Sequence, residues 1–340
     1  MVKGVKSVKS REWLIVTTLF LSHYLPVKSS ETRYVTLSTV KARAMAMGGA
    51  FMAMKNELAS LDFNPAGFSI SRLSRRSQVS IYVNPLGPLI IKENWRKTSD
   101  WETLVGWIFR GVGFTYENLS FGVLFGEESL TDEERFERNC FFDGTGYEVH
   151  RNTSFGFSID LAARVSLGIA GEAFIREENE KKRWSWGYRY GLILKPKNTL
   201  TVGLCFFDFP NRYQDDRMVL ERLADETLNI GICYSPWQAF SLALDIRNVS
   251  DEAKGAAREP HIGFELTPFK EFSFRGGYYR ERGGDSHTFS LGVGFLKSYT
   301  SPSHDRFIFN PTLGFNASLL WEKNVSGENR WLFFSCILRI

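Results

Sequence analysis

The chain has 340 residues, 43% of them hydrophobic and 15% aromatic, yet after its first thirty residues no run of eighteen apolar residues occurs, which excludes a bundle of membrane-crossing helices. Its formal net charge of +4 is N-terminal in origin: taking away residues 1–29 removes five basic and one acidic residue from 42 and 38, leaving 37 of each sign and no electrostatic case for a nucleic-acid partner. The four cysteines, Cys140, Cys205, Cys233 and Cys336, lie far apart in no metal-ligand spacing; they read as free thiols, and no cofactor or metal is expected.

In chain order, Lys3, Lys6, Lys9 and Arg11 precede an apolar run from Trp13 to Leu25, and Val27-Lys28-Ser29 offers small or neutral residues for a signal peptidase. The run is too short to cross a bilayer as a helix, and no Cys follows it closely. Residues 1–29 are therefore expected to be a secretory signal peptide. Residues 30–76 form a separate N-terminal unit. Within it, Val40 to Arg76 lacks a period-two pattern and is rich in Ala, Met and Gly. Gly48-Gly49 marks a tight turn, and Asn56 to Leu61 reads as a short helix with Asn56 near its N-cap. In Asn64-Pro65-Ala66-Gly67, Asn64 is placed to cap, Pro65 suits the first helical position and Gly67 permits a turn.

From residue 77 onward the sequence alternates. Phe240-Ser-Leu-Ala-Leu-Asp-Ile-Arg247 puts Phe240, Leu242, Leu244 and Ile246 on one face and Ser241, Ala243, Asp245 and Arg247 on the other. The same beat predicts fourteen strands: Ser77–Asn84, Thr103–Glu117, Leu119–Gly126, Thr153–Leu161, Val165–Ile175, Trp184–Leu194, Thr199–Asp208, Thr227–Ser235, Phe240–Asn248, His261–Thr267, Phe272–Arg280, His287–Leu296, Thr312–Trp321 and Trp331–Ile340. Short links such as Ala162–Arg164, Lys195–Asn198, Pro236–Ala239 and Pro268–Glu271 alternate with longer charged ones, as in an up-and-down outer-membrane barrel. Lys297–Pro311 breaks the alternation: it is long but falls on the short-turn side, so either it is unusual or a strand is missing from the set. The expected fold is all-β, a transmembrane antiparallel barrel of about fourteen strands over residues 77–340 with a small N-terminal helical plug. The final strand keeps the alternation that barrel assembly machinery reads during biogenesis, although it ends in Ile340 and not in an aromatic residue.

Lys41-Ala-Arg-Ala-Met-Ala-Met-Gly-Gly-Ala-Phe-Met-Ala53 and Ala59-Ser-Leu-Asp-Phe-Asn-Pro-Ala-Gly-Phe68 resemble the N-terminal region of the FadL-type outer-membrane long-chain fatty acid transporter superfamily, which includes PorV-like secretion-system barrels and a group of spirochaete barrels. The phrases Asn229–Pro236 and His261–Pro268 are similar to strand-turn units of the same superfamily. That resemblance implies residence in the bacterial outer membrane among its lipids, a hatch carrying Gly48, Gly49, Asn64, Pro65, Ala66 and Gly67, and passive uptake of fatty acids or other hydrophobic small molecules with a lateral exit. By strand order the exit would border Leu119 to Gly126, where the sequence has no bulge signature. The PorV-like alternative is a barrel that serves a secretion system or structural partner without moving a small molecule.

On this register Glu172, Arg189, Asp245, Arg247, Glu265, Arg275 and Arg339 face inward. They are candidates to meet a substrate carboxylate, or else they pair with one another across strands. His150, His261, His287 and His304 are scattered and build neither a metal cluster nor a hydrolase arrangement, so no catalytic residue and no enzyme activity is expected. Trp184, Trp186, Tyr188, Tyr190, Trp237 and Trp321 read as interfacial girdles, and Glu127–Arg138 and Arg176–Arg183 as solvated external loops.

Overall fold

A computed structural model describes residues 42–55, 57–68, 78–83, 109–129, 149–178, 181–208, 227–250, 259–269, 271–280, 287–298, 312–324 and 327–339. The expected signal peptide, Asn56, Cys140, the side chains of His150, Trp184 and Arg339, His304, and most of the long links lie outside the described residues. Period-two alternation yields fourteen strands: β1 Gln78–Val83, β2 Phe109–Tyr116, β3 Leu119–Ser129, β4 Val149–Ala162, β5 Val165–Glu178, β6 Lys181–Lys197, β7 Leu200–Asp208, β8 Thr227–Trp237, β9 Phe240–Ser250, β10 Glu259–Phe269, β11 Phe272–Arg280, β12 His287–Ser298, β13 Thr312–Asn324 and β14 Gly327–Arg339. Each pairs antiparallel with its sequence neighbours, and β14 returns to β1, closing the barrel. Closure joins the first strand to the last, as a sheet in hydrocarbon requires of its edges.

The two faces differ as the alternation demands. Phe114, Phe121, Phe157, Ile169, Leu244, Phe264 and Leu291 are exposed on the outside, whereas Ser80, Ser120, Ser154, Ser158, Asn229 and Asp245 are buried inside. A soluble sandwich would bury the apolar face against a second sheet; here that face is the outer wall, so the barrel is a transmembrane one.

Three differences from the sequence pattern have local causes. β6, β8 and β10 run past the expected turns, and their ladders slip between Leu194 and Lys197, between Tyr234 and Trp237, and between Leu266 and Phe269. Pro196, Pro236 and Pro268 sit in those slips, because a proline has no N–H for the ladder and is tolerated at a bulge. Next, Arg176–Arg183 is not a loop: the ladder continues through Arg176↔Arg183, Glu177↔Lys182 and Glu178↔Lys181, and β3 likewise extends to Ser129. Charge in a period-two run signals water, and strands that project past the bilayer keep their hydrogen bonds in water. Finally, β12 pairs directly with β13 from Ser298↔Thr312 onward, so no strand is missing and the 299–311 link is the unusual one.

The aromatic residues of β6 are arranged differently from a girdle. Trp186, Tyr188 and Tyr190 are all exposed, but they follow one another along a single strand at about 7 Å per pair of residues and so cover depth, not one level. Trp237 and Phe240, with ring centroids 5.5 Å apart at the β8–β9 turn, fit an interfacial position.

Candidate functional site: a segment seated inside the barrel

Residues 42–68 lie within the lumen. A short helix, Ala42–Ala46, buries Ala42, Ala44 and Ala46 and packs near β12 and β13, with Ala42 against Leu320. Two 3-10 turns follow, Leu58–Asp62 and Pro65–Gly67. The first begins after Glu57, which makes no side-chain cap, so the expected Asn56-capped helix is replaced by a tighter turn starting later. The second follows the expected logic: Asn64 is the N-cap, its Oδ1 accepts from Ala66 N at 3.1 Å, and Pro65 opens the turn.

Glycines on the inner wall make the seat. A Cβ at Gly292 would meet Ala46, at Gly277 the backbone of Met47 and Gly48, and at Gly263 Met47. Farther round, one at Gly231 or Gly203 would meet Met52, and one at Gly191 Asn64. Beyond these, Gly168 abuts Pro65 and Ala66, Gly156 abuts Leu61, and Gly122 and Gly113 abut Leu58 and Phe68. The segment thus runs round the lumen from β12 to β2, and the wall lacks side chains where the backbone of the segment comes close. Gly48 and Gly49, at φ 62° and 71°, turn the chain at the start of this path. Gly67 has a different role from the expected turn: its φ is not left-handed, and a Cβ there would strike the carbonyl of Met54.

Polar side chains of β9, β10 and β12 bind the backbone of the segment. Ser290 Oγ accepts from Gly48 N and donates to Ala46 O, both at 2.9 Å. Arg247 Nη2 donates to Gly49 O at 2.7 Å, and His261 Nδ1 lies 2.6 Å from Gly48 O, its ring stacked on Tyr279. Asp245 Oδ2 accepts from the amides of Phe51 at 2.6 Å and Met52 at 2.9 Å. Asn64 Nδ2 donates to Met52 O at 2.7 Å and reaches Leu192 O and Leu204 O at 3.3 Å, tying the turn to β6 and β7.

Ions tie it as well. Arg43 donates from Nε and Nη2 to the two oxygens of Glu265, at 2.9 and 2.8 Å, and from Nη1 to Glu57 at 2.8 Å. Glu265 also accepts from Arg275 Nε at 2.5 Å, and Arg275 continues to Asn316 Oδ1 at 2.9 Å and Ser273 Oγ at 2.6 Å. Burial disfavours the charged form of Arg43, but Glu265 and Glu57 outweigh it and hold the pKa above the ordinary arginine value. A second group joins Arg189 to Glu172, with Asp62 of the segment 3.9 Å from Arg189 and the Phe207 ring beneath the guanidinium at 5.5 Å.

On β1 to β4 and β14 apolar packing carries much of the contact. Leu58, Ala59, Leu61 and Phe68 of the segment pack with Tyr82, Leu124 and Ile337. Polar links also join this sector: Leu58 N to the Tyr82 hydroxyl at 3.1 Å, Ser154 Oγ to Asp62 Oδ1 at 2.6 Å, and Lys55 Nζ 3.6 Å from Asp160 Oδ1. The β1–β14 seam beside it has four register pairs, Ser80↔Arg339 to Val83↔Cys336. β3 pairs without a register shift to β2 and β4, so the strand singled out for a lateral exit is regular; the shift in this sector lies between Tyr82 and Val83 of β1, against β2.

The candidate headgroup residues fall into separate sectors: Glu172 and Arg189 on β5 and β6, Asp245 and Arg247 on β9, Arg275 on β11. Asp245 and Arg247 hold the backbone of the inner segment, and Arg189 and Arg275 engage carboxylates. Arg43, Glu57, His261, Ser290 and Tyr82 escaped the sequence reading as site residues. An arginine followed fourteen residues later by a glutamate, both in an Ala- and Met-rich stretch, was the available signal for Arg43 and Glu57. Cys205, Cys233 and Cys336 are free thiols in β7, β8 and β14, and no group of metal-ligating side chains occurs among the described residues.

No protein-family model and no curated protein matches the chain. Solved structures with the same fold do. A CymD monoaromatic hydrocarbon channel aligns at 12% identity with a TM-score of 0.50, over 89% of this chain and 96% of that one. The Pseudomonas putida toluene transporter TodX aligns at 10% identity with a TM-score of 0.50, over 91% of this chain and 99% of that one. A Pseudomonas aeruginosa FadL homologue aligns at 11% identity with a TM-score of 0.46, over 89% and 97%. At these identities the likeness is one of fold: the chain shares its closed antiparallel barrel with the CymD channel and the TodX transporter.

Proposed function

We propose that the chain resides in the bacterial outer membrane and passes hydrophobic compounds, long-chain fatty acids among them, by passive diffusion, with residues 30–76 acting as the hatch and 77–340 as the channel wall. One observation carries this reading: the cluster of Leu58, Leu61, Phe68, Tyr82, Leu124 and Ile337 lies behind the four-pair β1–β14 seam. A greasy molecule that leaves through the wall keeps its apolar surface out of water, at about 25 cal/mol per Å². An apolar contact is also easier to open than an ion pair, since parting two apolar surfaces strands no charge. The similar solved structures described as a hydrocarbon channel and a toluene transporter agree with this direction. A carboxylate headgroup would have to compete with Glu265 for Arg275 or with Glu172 for Arg189.

The alternative, a PorV-like partner barrel, draws on the tightness of the seat, where Ala46, Met47, Phe51, Met52, Leu58 and Leu61 have no solvent exposure. Uptake by liposomes containing the purified protein separates the two. Labelled oleate and labelled toluene should enter faster than in protein-free liposomes, and replacing Asn64–Gly67 by a Gly-Ser stretch should change the rate. Equal entry with and without protein, for both compounds, rejects transport in favour of the partner role.

A further inference from the structure

The outer wall carries a feature that neither the hatch nor the channel uses. Over β10 to β13 the lipid-facing side is hollowed into a depression of about 420 Å³. Gly276, set by register between the exposed Phe264 of β10 and Leu291 of β12, lies buried beneath it. A Cβ at Gly276 would come within 2.6 Å of the Phe264 ring, so that ring leans over the glycine. Tyr278, Phe289 and Trp321 form the wall on the side of the long links.

One register step farther toward those links, the same outward series ends in Arg280, His287 and Lys323, side by side on β11, β12 and β13. Adjacent strands are about 4.8 Å apart, so the three heads fit across one phosphate-sized group. Arg280 and Lys323 are exposed, and the row stops at β14, where the register partner of Lys323 is Glu328. The Tyr278 hydroxyl, 2.7 Å from His287 Nδ1, joins the top of the depression to the row. With the hydroxyl donating to Nδ1, the other ring nitrogen carries the hydrogen and remains a donor.

A hollow lined with apolar side chains and topped by two permanent cations, on a surface that meets hydrocarbon, complements one kind of molecule. Its tails fill the hollow, and its phosphate accepts the charge-assisted hydrogen bonds. We infer that β10 to β13 form an external site for a single outer-leaflet lipid with a net-anionic phosphate headgroup, its acyl chain against Phe264, Leu291 and Trp321 and its phosphate at Arg280, His287 and Lys323. The long links end on this side, which in barrels of this class faces outward from the cell.

The test is native mass spectrometry of the full chain in detergent, with equimolar dioleoyl phosphatidylglycerol and dioleoyl phosphatidylcholine. The anionic lipid should be retained about tenfold over the zwitterionic one. An Arg280→Gln/Lys323→Gln variant should bring the ratio to about one, and Gly276→Leu, which pushes the Phe264 ring out into the hollow, should lower retention of both lipids. Glycerophosphoglycerol, the headgroup without tails, should not displace the lipid. Heat-modifiable gel mobility checks that each variant is folded. Equal retention by the wild type, a preference that survives the double variant, or displacement by the tail-less headgroup would each overturn the assignment.

Discussion

The sectors of the wall that hold the inner segment do so by different physics. From β9 to β12 directional bonds from Asp245, Arg247, His261, Ser290 and the Arg43–Glu265–Arg275 chain hold the segment's backbone and Arg43, beside an apolar cluster that joins Met47, Phe51 and Met52 to Cys205, Phe207, Cys233 and Ala243. On β1, β3 and β14 it is held mainly by the packing of Leu58, Leu61 and Phe68. Directional bonds fix where the segment sits; apolar contacts tolerate sliding, because dispersion and burial have no preferred angle. Under the proposed transport role, the polar sector is the side expected to hold and the apolar sector the side expected to part.

Substitutions in the two sectors should differ in the size and the place of their effect. Gly168→Leu should have the largest effect: the new side chain has to enter space occupied by the backbone of Pro65 and Ala66, and neither sector can compensate. It should lower stability by more than ~3 kcal/mol, read as a shift in urea unfolding from lipid vesicles, and should expose the segment to chymotrypsin. Arg43→Met comes next, at about 3–5 kcal/mol, because Glu265 and Glu57 lose their shared partner while still buried. Leu58→Ala should cost about 2–4 kcal/mol in the same assay and, unlike Arg43→Met, should leave the Gly48–Met52 stretch protected from amide exchange. Equal deprotection by both variants would erase the distinction between sectors. Tyr82→Phe should be mildest, about 1 kcal/mol, since it removes one bond to Leu58 N and leaves the ring in place.

Much of the wall was legible because a barrel writes its two environments into alternate residues. Phe240–Arg247 gives both faces correctly: Asp245 is buried inward and Leu244 and Ile246 are exposed outward. Strand ends were less legible, since Glu177, Lys181 and Lys182 read as loop although they extend a ladder. The inner site was legible at Asn64-Pro65, where capping is local. It was hidden at Gly168, Gly203 and Gly277, because in a strand a seating glycine and a merely small one look alike until the opposing backbone is known. Arg43 was hidden for a related reason: Glu265 is 222 residues away, and no spacing rule spans that separation.

The order of contacts along the chain has a consequence for biogenesis. Residues 42–68 precede every strand in sequence, yet they touch elements from β2 to β14. A cylinder sealed first would leave these residues no way in except through its mouth. Wrapping the wall around them while it is still an open sheet avoids that passage, and β1 and β14, joined over four pairs, are the natural place to fasten last. On this view the segment is a mandrel before it is a stopper, and damage to its seat should appear first as failed assembly.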